Sequence, residues 1–527
     1  MILYAFIKYH KEKNKMRFYS RRDFMGVVAA GMACVLSGEN FAERGAKKKN
    51  VLFIAVDDLR PELGCYGKRQ IISPNIDKLA QEGMLFEYAY CQEAVCAPSR
   101  NSLLTGLRPD TIKCYDLVTH FREHKPNAVT LPEYFKNHGY HCESMGKIFH
   151  PQFEAHAKLA DRQSWSVPEW YGPIRYYYSP EGVKVAREIY QTSRGKKIDD
   201  SDEWTHHFVQ GLATEAPEIE DNIPHDGQVA EKAIRRLREL KNKPFFLGVG
   251  FIKPHLPFVA PKKYWDMYDE SEIKLADNPV APTNVPPIAM HNSEELRLQY
   301  VDIPKEGPIP DELARRLIHG YYACVSYVDA QIGRVIDELD RLGLRDDTII
   351  VLWGDHGWHL GEQGLWCKHT NFENATRAPL IISAPTQKTK GQHCNKLVEF
   401  VDIYPTVCEL AELAVPKELE GVSLKPLLEN PEREWKSAVF SQYPRPGLLC
   451  HDPEKMVMGY SMRTKRYRYT EWIQLKSGRR VGGELYDHEK DPEENVNVID
   501  KEEYAGVVKK LKKRMKAGWR GTRPKGI

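Results

Sequence analysis

Val51-Leu52-Phe53-Ile54-Ala55-Val56, residues 51–56, is an unbroken apolar run closed by Asp57-Asp58. A strand with one face in water alternates apolar and polar residues, whereas a strand covered on both faces does not. The run therefore predicts an inner strand of a parallel sheet. From Asn50 onward, short β-branched runs alternate with helical periodicity. Phe245–Phe251 and Thr348–Leu352 read as further strands, and Pro74–Gly83, Val229–Leu240 and about Leu313–Leu342 as helices. Val229, Ala233, Ile234, Leu237 and Leu240 share one helical face, while Tyr321, Val325, Val328, Ile332 and Val335 recur at helical spacing on the longer element. This alternation predicts an α/β fold with a large, mostly parallel central sheet flanked by helices. After about residue 435 the texture changes. Ala438–Gln442, Met456–Arg463, Tyr467–Trp472 and Gly483–Tyr486 read as short strands separated by turns, and Glu503–Lys516 as a closing helix. That pattern predicts a smaller C-terminal antiparallel-sheet subdomain.

The expected organisation is a leader over 1–49, a catalytic α/β domain over 50–434 and the C-terminal subdomain over 435–527. At 527 residues the chain is too long for one small core. Its 76 basic and 73 acidic side chains leave a formal charge of +3, so no bulk field argues for nucleic acid or a membrane surface. Recognition of an anion has to come from local clusters. The eleven cysteines show no metal-ribbon or paired spacing, and Cys65, Cys142, Cys324 and Cys408 read as ordinary small core residues. In the leader, Ser20-Arg21-Arg22-Asp23-Phe24-Met25 precedes an apolar stretch from Gly26 to Leu36, resembling a twin-arginine export signal. The stretch is shorter than the ~20 residues a bilayer requires. The expectation is an exported protein, periplasmic or extracellular, with no transmembrane span. Lipid anchoring at Cys34 is disfavoured, because Gly31-Met32-Ala33 fits an attachment site poorly.

Four polar clusters follow predicted strands or their immediate continuations: Asp57-Asp58, Lys147 with His150, Lys253-Pro254-His255 and Asp355-His356. In open α/β sheets the ligand crevice lies beyond the carboxyl ends of the strands, so these clusters are expected to converge. Asp57, Asp58 and Asp355 brought together repel unless a cation neutralises them. Oxygen ligands favour a hard ion, Ca²⁺ or Mg²⁺, over zinc; His356 either completes the sphere or hydrogen-bonds to it. Taken alone, an Asp-Asp pair reads equally well as a turn or helix cap. Two stretches, 160–225 and 276–312, are rich in aromatics, proline and charge and are expected to be irregular lids or cleft walls. Within the first, Trp165, Trp170, Tyr176 and Tyr177 are expected mostly to pack on the body, with stacking on sugar rings as the alternative.

Cys96-Ala97-Pro98-Ser99-Arg100, followed by Leu103-Leu104-Thr105-Gly106, resembles the sulfatase signature C-x-P-x-R and its downstream T-G. A helix starting near Ser99 would direct backbone N–H groups at an anion. The likeness extends through VDDLRPELGCYG, SPNIDKLA, MGKIFHP, KPHLPF, GDHGWHLGEQGLWCKHTNF, SQYPRP and MGYSMRTKRYRYTEW, which are similar to the iduronate-2-sulfatase branch of that family, a branch of alkaline-phosphatase-like fold.

What the resemblance implies falls on specific positions. Cys96 is the residue a maturation enzyme converts to formylglycine, whose hydrate supplies the nucleophile. Asp57, Asp58, Asp355 and His356 match ligands of a calcium ion, preferred over magnesium, with the modified Cys96 as a further ligand. Arg100 braces the same residue. Lys147 and His150 match the pair that grips sulfate and the hydrate, while His255 and Lys368 match the groups that contact sulfate and protonate the departing alkoxide. Trp358 and Lys368 lie where that branch meets its sugar. The implied substrate is a 2-O-sulfated uronic acid in a glycosaminoglycan or sulfated oligosaccharide; other sulfated polysaccharides, including algal ones, are the alternative. Two rival readings remain: a phosphoester or phosphonate ester hydrolase of the same superfamily, and a glycan-binding protein without turnover.

Overall fold

The computed structural model describes residues 48–150, 161–194, 210–446 and 455–524. The twin-arginine-like segment and Cys34 lie outside the described residues. The central sheet has seven strands: β1 (Asn50–Val56), β2 (Met84–Tyr90), β3 (His141–Gly146), β4 (Phe245–Phe251), β5 (Thr348–Gly354), β6 (Leu380–Ser383) and β7 (Gln392–Glu399). Their order is β7-β2-β6-β5-β1-β4-β3. The pairings β1–β4, β1–β5, β3–β4 and β2–β7 are parallel, and β6 runs antiparallel to both β2 and β5. This is the α/β architecture with a large, mostly parallel sheet that the opening run implies.

The unbroken apolar character of β1 has a direct cause. Leu52, Ile54 and Val56 enter one core, and Val51, Phe53 and Ala55 enter the other, across the sheet. Seven principal helices accompany the sheets: α1 (Pro74–Glu82), α2 (Cys96–Thr105), α3 (Pro180–Arg194), α4 (His225–Leu240), α5 (Asp311–Arg341), α6 (Ile403–Leu410) and α7 (Ala505–Ala517). Leucines and valines of α1, α4 and α5 fill the first core, whereas α2 and α6 fill the second. A separate four-stranded antiparallel sheet, β8 (Ala438–Arg445), β9 (Val457–Thr464), β10 (Tyr467–Gln474) and β11 (Arg480–Asp487), lies against α7 through Met462, Tyr469, Leu485 and Leu511. Among the described residues no helix is long and apolar enough to cross a membrane.

Two local expectations are corrected. The 160–225 stretch is not wholly irregular, because α3 runs through it. Val183, Ala186 and Tyr190 share a helical face against Ile174, Tyr176, Tyr177 and Ile252, and Ser179 Oγ accepts from the Gly182 N–H at the helix start. Cys65 is half-buried rather than a core thiol, while Cys142, Cys324 and Cys408 are buried. Trp165, Tyr176 and Tyr177 pack on the body, each less than a tenth exposed.

A buried ionic knot joins the sheet edge to the turn after α2 and to β8. Arg108 Nη1 lies 2.8 Å from Glu399 Oε1, Lys436 Nζ lies 2.6 Å from Glu399 Oε2 and 2.7 Å from Asp402, and the Phe440 N–H donates to Glu399. Burial alone would raise the Glu399 carboxyl, but Arg108 and Lys436 hold it at about 2. A carboxyl held below its ordinary 4.5 stabilises the fold fully above that value, and the contribution fades as pH falls towards 2. Removing one partner of such a buried pair leaves charge uncompensated. Lys436→Met is therefore expected to lose about 3–5 kcal/mol in urea denaturation at pH 7. Its deficit relative to the wild type should narrow when the titration is repeated below pH 4; an unchanged midpoint at pH 7 would contradict the role given to the knot.

Candidate active site

The carboxyl ends of β1, β3, β4 and β5 lie side by side. Val56 pairs with both Phe251 and Gly354, and Gly146 with Gly250. Each next turn therefore delivers its side chains to one place. The Asp57 N–H donates to the Phe251 carbonyl and the Asp355 N–H to the Val56 carbonyl, so both carboxylates leave the sheet in fixed directions. Asp58 follows with φ of 59°, a left-handed conformation that aspartate tolerates better than most residues. Its N–H donates to Asp355 Oδ1 at 3.0 Å. On β3, Gly146 has φ of 69°, and a Cβ there would sit 2.0 Å from the Gly250 carbonyl oxygen. Only glycine lets these strands close up and aim Lys147 across the strand ends.

Helix α2 begins at Cys96, three residues before the expected start, and all ten of its residues are buried. The consequence is electrostatic. Ser99 N–H already bonds the Val95 carbonyl and Pro98 has none, so only the N–H groups of Cys96 and Ala97 remain of the expected anion-facing set. Side-chain cations have to do more. Arg100, fully buried, donates from Nε to Asp355 Oδ2 at 2.8 Å and from Nη2 to Asp57 Oδ1 at 3.1 Å. Its Nη1 donates to the carbonyls of Lys147 and Ile148. Lys147 Nζ donates to Asp57 Oδ2, and Lys368 Nζ to Asp58 Oδ1 at 2.9 Å. Cys96 Sγ lies 3.4 Å from His356 Nε2.

These contacts divide the carboxylates. Burial would raise Asp57, yet Lys147 and Arg100 hold it well below its ordinary value. Burial raises Asp58 well above its own; Lys368 opposes this, while Asp57, Glu295 and Asp355 add repulsion. Burial and Asp57 push the Cys96 thiol well up, and burial and Lys147 push His150 well down. Asp57, Asp58, Cys96 and His356 each turn a ligand atom inward, all within 4.8 Å of one another. A buried donor set of two carboxylates, a sulfur and an imidazole fits a divalent cation. Asp355 lies outside this quartet: Oδ2 is engaged by Arg100, and Oδ1 accepts from the Asp58 and His356 N–H groups. A second acidic group, Glu373, His488 and Glu494, is neutralised internally by Arg463 and Arg468 and reads as a structural ion-pair network.

Residues 49–413 match the family model described as Sulfatase, and residues 361–520 match that of the N-sulphoglucosamine sulphohydrolase C-terminal region. Iduronate 2-sulfatase of Mus musculus is 36% identical, the match covering 88% of this chain and 93% of the relative. The chain belongs to the sulfatase family.

Among solved structures, a protein in complex with its substrate D-glucosamine-2-N,6-O-disulfate superposes with a TM-score of 0.68 at 22% identity, covering 90% of this chain and 98% of its own. The phosphonate monoester hydrolase of Silicibacter pomeroyi gives 0.68 at 23%, covering 90% and 96%. At that identity they show the shared fold alone. The sulfatase thus hydrolyses sulfate esters, and its expected site residues can be placed. Asp57, Asp58, Cys96, Arg100, Lys147, Asp355, His356 and Lys368 form one connected cluster. His255 joins it, with Nε2 3.9 Å from Asp58 Oδ2. His150 follows Lys147 on the same strand end, and its Nδ1 is buried without a hydrogen-bond partner.

Trp358 is 1% exposed, buried like Cys96 and Lys368. It lies between Phe258 and Lys368 Nζ, 5.0 Å from the latter, and supports that ammonium through its π face. Sequence reasoning missed Glu295, Tyr321 and Ser99. Tyr321 OH donates to the Asp58 carbonyl at 2.9 Å, and Ser99 Oγ donates to the Asp355 carbonyl. The Tyr321 phenol sits within an apolar helical stripe, where its spacing reads only as core.

The donor quartet makes a prediction that needs no substrate. Adding a divalent ion at 100 times its Kd to chelator-treated sulfatase should stabilise it by about 2.7 kcal/mol. Asp58→Asn should lose that gain while remaining folded. An equal gain in wild type and variant, measured by thermal unfolding, would place the ion elsewhere.

Proposed function

We propose that this sulfatase removes sulfate from a sulfated glycan, specifically the 2-O-sulfate of a uronic acid, through formylglycine made from Cys96 and with Ca²⁺ as the bound ion. The observation that carries the reading is the ring of cations around residue 96: Arg100 and Lys147 anchored on Asp57, and Lys368 on Asp58. Sulfur in a sulfate ester is screened by anionic oxygens, so attack requires those oxygens to be neutralised by groups already in place. The 2-O-uronate substrate is supported by the iduronate 2-sulfatase match, which spans most of both chains. The two carboxylates of the donor set support a hard ion over zinc once conversion of Cys96 to formylglycine replaces its sulfur with oxygen.

When bound, calcium held by Asp57, Asp58, His356 and residue 96, with Asp355 braced beside them by Arg100, would draw charge from the sulfate and from the hydroxyl of residue 96. Lys147, Arg100 and Lys368 neutralise and orient the sulfate oxygens. One hydroxyl of the hydrated residue 96 loses its proton to a neighbouring carboxylate and bonds to sulfur in line with the departing sugar oxygen. That oxygen keeps the electron pair of the broken S–O bond and takes a proton from His255 or Lys368. His150 then removes the proton of the second hydroxyl, sulfate leaves, the aldehyde re-forms, and water restores the hydrate. A serine or cysteine at position 96 has no second hydroxyl with which to expel sulfate. The maturation partner implied is an enzyme that oxidises Cys96 in C-x-P-x-R. The twin-arginine-like segment supports export to the periplasm or the exterior.

Three measurements test this. Peptide mass spectrometry across Cys96 should find the aldehyde in place of the thiol in active protein. Cys96→Ser should lower turnover of a 2-O-sulfated uronate disaccharide more than about a thousandfold. On aryl esters, the wild type should favour sulfate over phosphate and phosphonate; the reverse preference would move the chain to the phosphonate hydrolase reading.

A further inference from the structure

Glu295 stands among the reacting groups without a part in the scheme above. It lies in the short helix Glu294–Gln299, inside the proline-rich stretch expected to form a cleft wall. Its side chain is 11% exposed. Oε1 accepts from Lys368 Nζ at 2.9 Å and lies 3.4 Å from His255 Nε2. Oε2 lies 3.7 Å from His369 Nε2 and is buried with no hydrogen-bond partner.

The geometry around this carboxylate is directional. His255 Nδ1 donates to the Leu256 carbonyl at 2.7 Å, which turns Nε2 towards Glu295 and Asp58. Lys368 arrives from another loop, behind the short hairpin His359–Leu360 and Trp366–Cys367. The Trp366 N–H donates to Ser293 Oγ at 3.0 Å, fastening the Glu295 turn to that hairpin. One carboxylate oxygen thus sits between two proton carriers from different parts of the chain, and its own turn is pinned to one of them. A buried unpaired oxygen costs free energy, and Glu295 Oε2 bears that cost beside the His369 ring. Here one oxygen is left without a donor.

We propose that Glu295 is a positioning residue for proton delivery to the leaving sugar oxygen, holding Lys368 Nζ and His255 Nε2 together at the leaving-group end of the sulfate pocket; this rests on the sulfate-ester reaction proposed at residue 96. In that step the bond between sulfur and the sugar oxygen breaks, its electrons stay on oxygen, and one N–H proton moves to it from the Lys368 ammonium, or from His255 Nε2 when that imidazole is protonated on both nitrogens. Glu295 is neither donor nor acceptor of that proton. It fixes where the donors stand.

Leaving-group dependence separates this role from a structural one. A sugar alkoxide needs a proton as it departs, whereas a 4-nitrophenolate departs as a stable anion. Glu295→Gln keeps the shape and removes the charge. On a 2-O-sulfated uronate disaccharide its kcat should fall about 100-fold with KM changed far less, while 4-nitrophenyl sulfate turnover stays within about twofold of wild type. Glu295→Asp, which keeps the charge, should recover part of the lost kcat, and thermal unfolding checks that both variants are folded. Equal losses on the two esters, or no loss on the disaccharide, would overturn the proposal with the reaction at residue 96 intact. A wild type inert towards both esters would overturn that reaction and this proposal with it.

Discussion

The Arg100 guanidinium holds the strand ends of this sulfatase together. It spans Asp57 beyond β1 and Asp355 beyond β5, and its remaining nitrogen reaches the carbonyls of Lys147 and Ile148 beyond β3. Those strands are not all neighbours, since β4 lies between β1 and β3. A planar group with five donors suits this task, and an ammonium would satisfy only some of these acceptors. Trp353 lies against the guanidinium at 5.6 Å and completes its apolar seat. Because Arg100 stands one helical turn after Cys96, the same contact fixes where residue 96 faces the carboxylates.

The price of that arrangement is charge buried on both sides. Asp57, Asp58 and Asp355 are all removed from water, and so are Arg100, Lys147 and Lys368. Ionic groups collected in a dry interior seldom stabilise a fold as well as apolar side chains of equal volume. The carboxylates are also unequally treated. Asp57 has two cations close by and is held down, while Asp58 has Lys368 and is pushed up. Asp58 is thus left under-compensated beside an imidazole and a sulfur. The imbalance is what a divalent ion corrects, and it falls on the side of the quartet facing Cys96 and His356.

How much of this was legible follows from which signals are local. The inner strands and long helices were readable because periodicity is set by burial: β1 fills both cores, and α5 presents Tyr321, Val325, Val328, Ile332 and Val335 to one of them. The four clusters after strand ends were readable because parallel strands aim their next residues at a common edge. Other features depend on distant partners. Strands β2, β6 and β7 carry less uniform patterns, and the antiparallel course of β6 is decided by its neighbours. Helix α3 hid behind the charged residues of its outer face, although Val183, Ala186 and Tyr190 held the spacing. Trp358 was placed near the sugar on resemblance, and its seat under the Lys368 ammonium shows only in the fold. Glu295 carried no signal at all, being one of two adjacent glutamates in a proline-rich stretch. Its meaning lies in what folds against it.

That contrast bears on how such a site diversifies. Arg100, Asp57, Asp355 and the facing glycines Gly146 and Gly250 at the ends of β3 and β4 are constrained by backbone geometry and cannot change without moving the strands. Glu295 sits on a short helix and His255 and Lys368 on loops, all outside the sheet, joined by side-chain contacts and by the Trp366 N–H on Ser293 Oγ. In the proposed reaction the groups that meet the sulfate from the strand ends are therefore rigid, because every sulfate ester presents the same tetrahedral anion. The groups proposed to serve the leaving alcohol, with Lys368 also reaching the sulfate, are carried outside the sheet, where variation disturbs the strand ends least, because alcohols differ in shape and in their need for a proton. The division between sheet-anchored and loop-borne residues follows the division within the substrate itself.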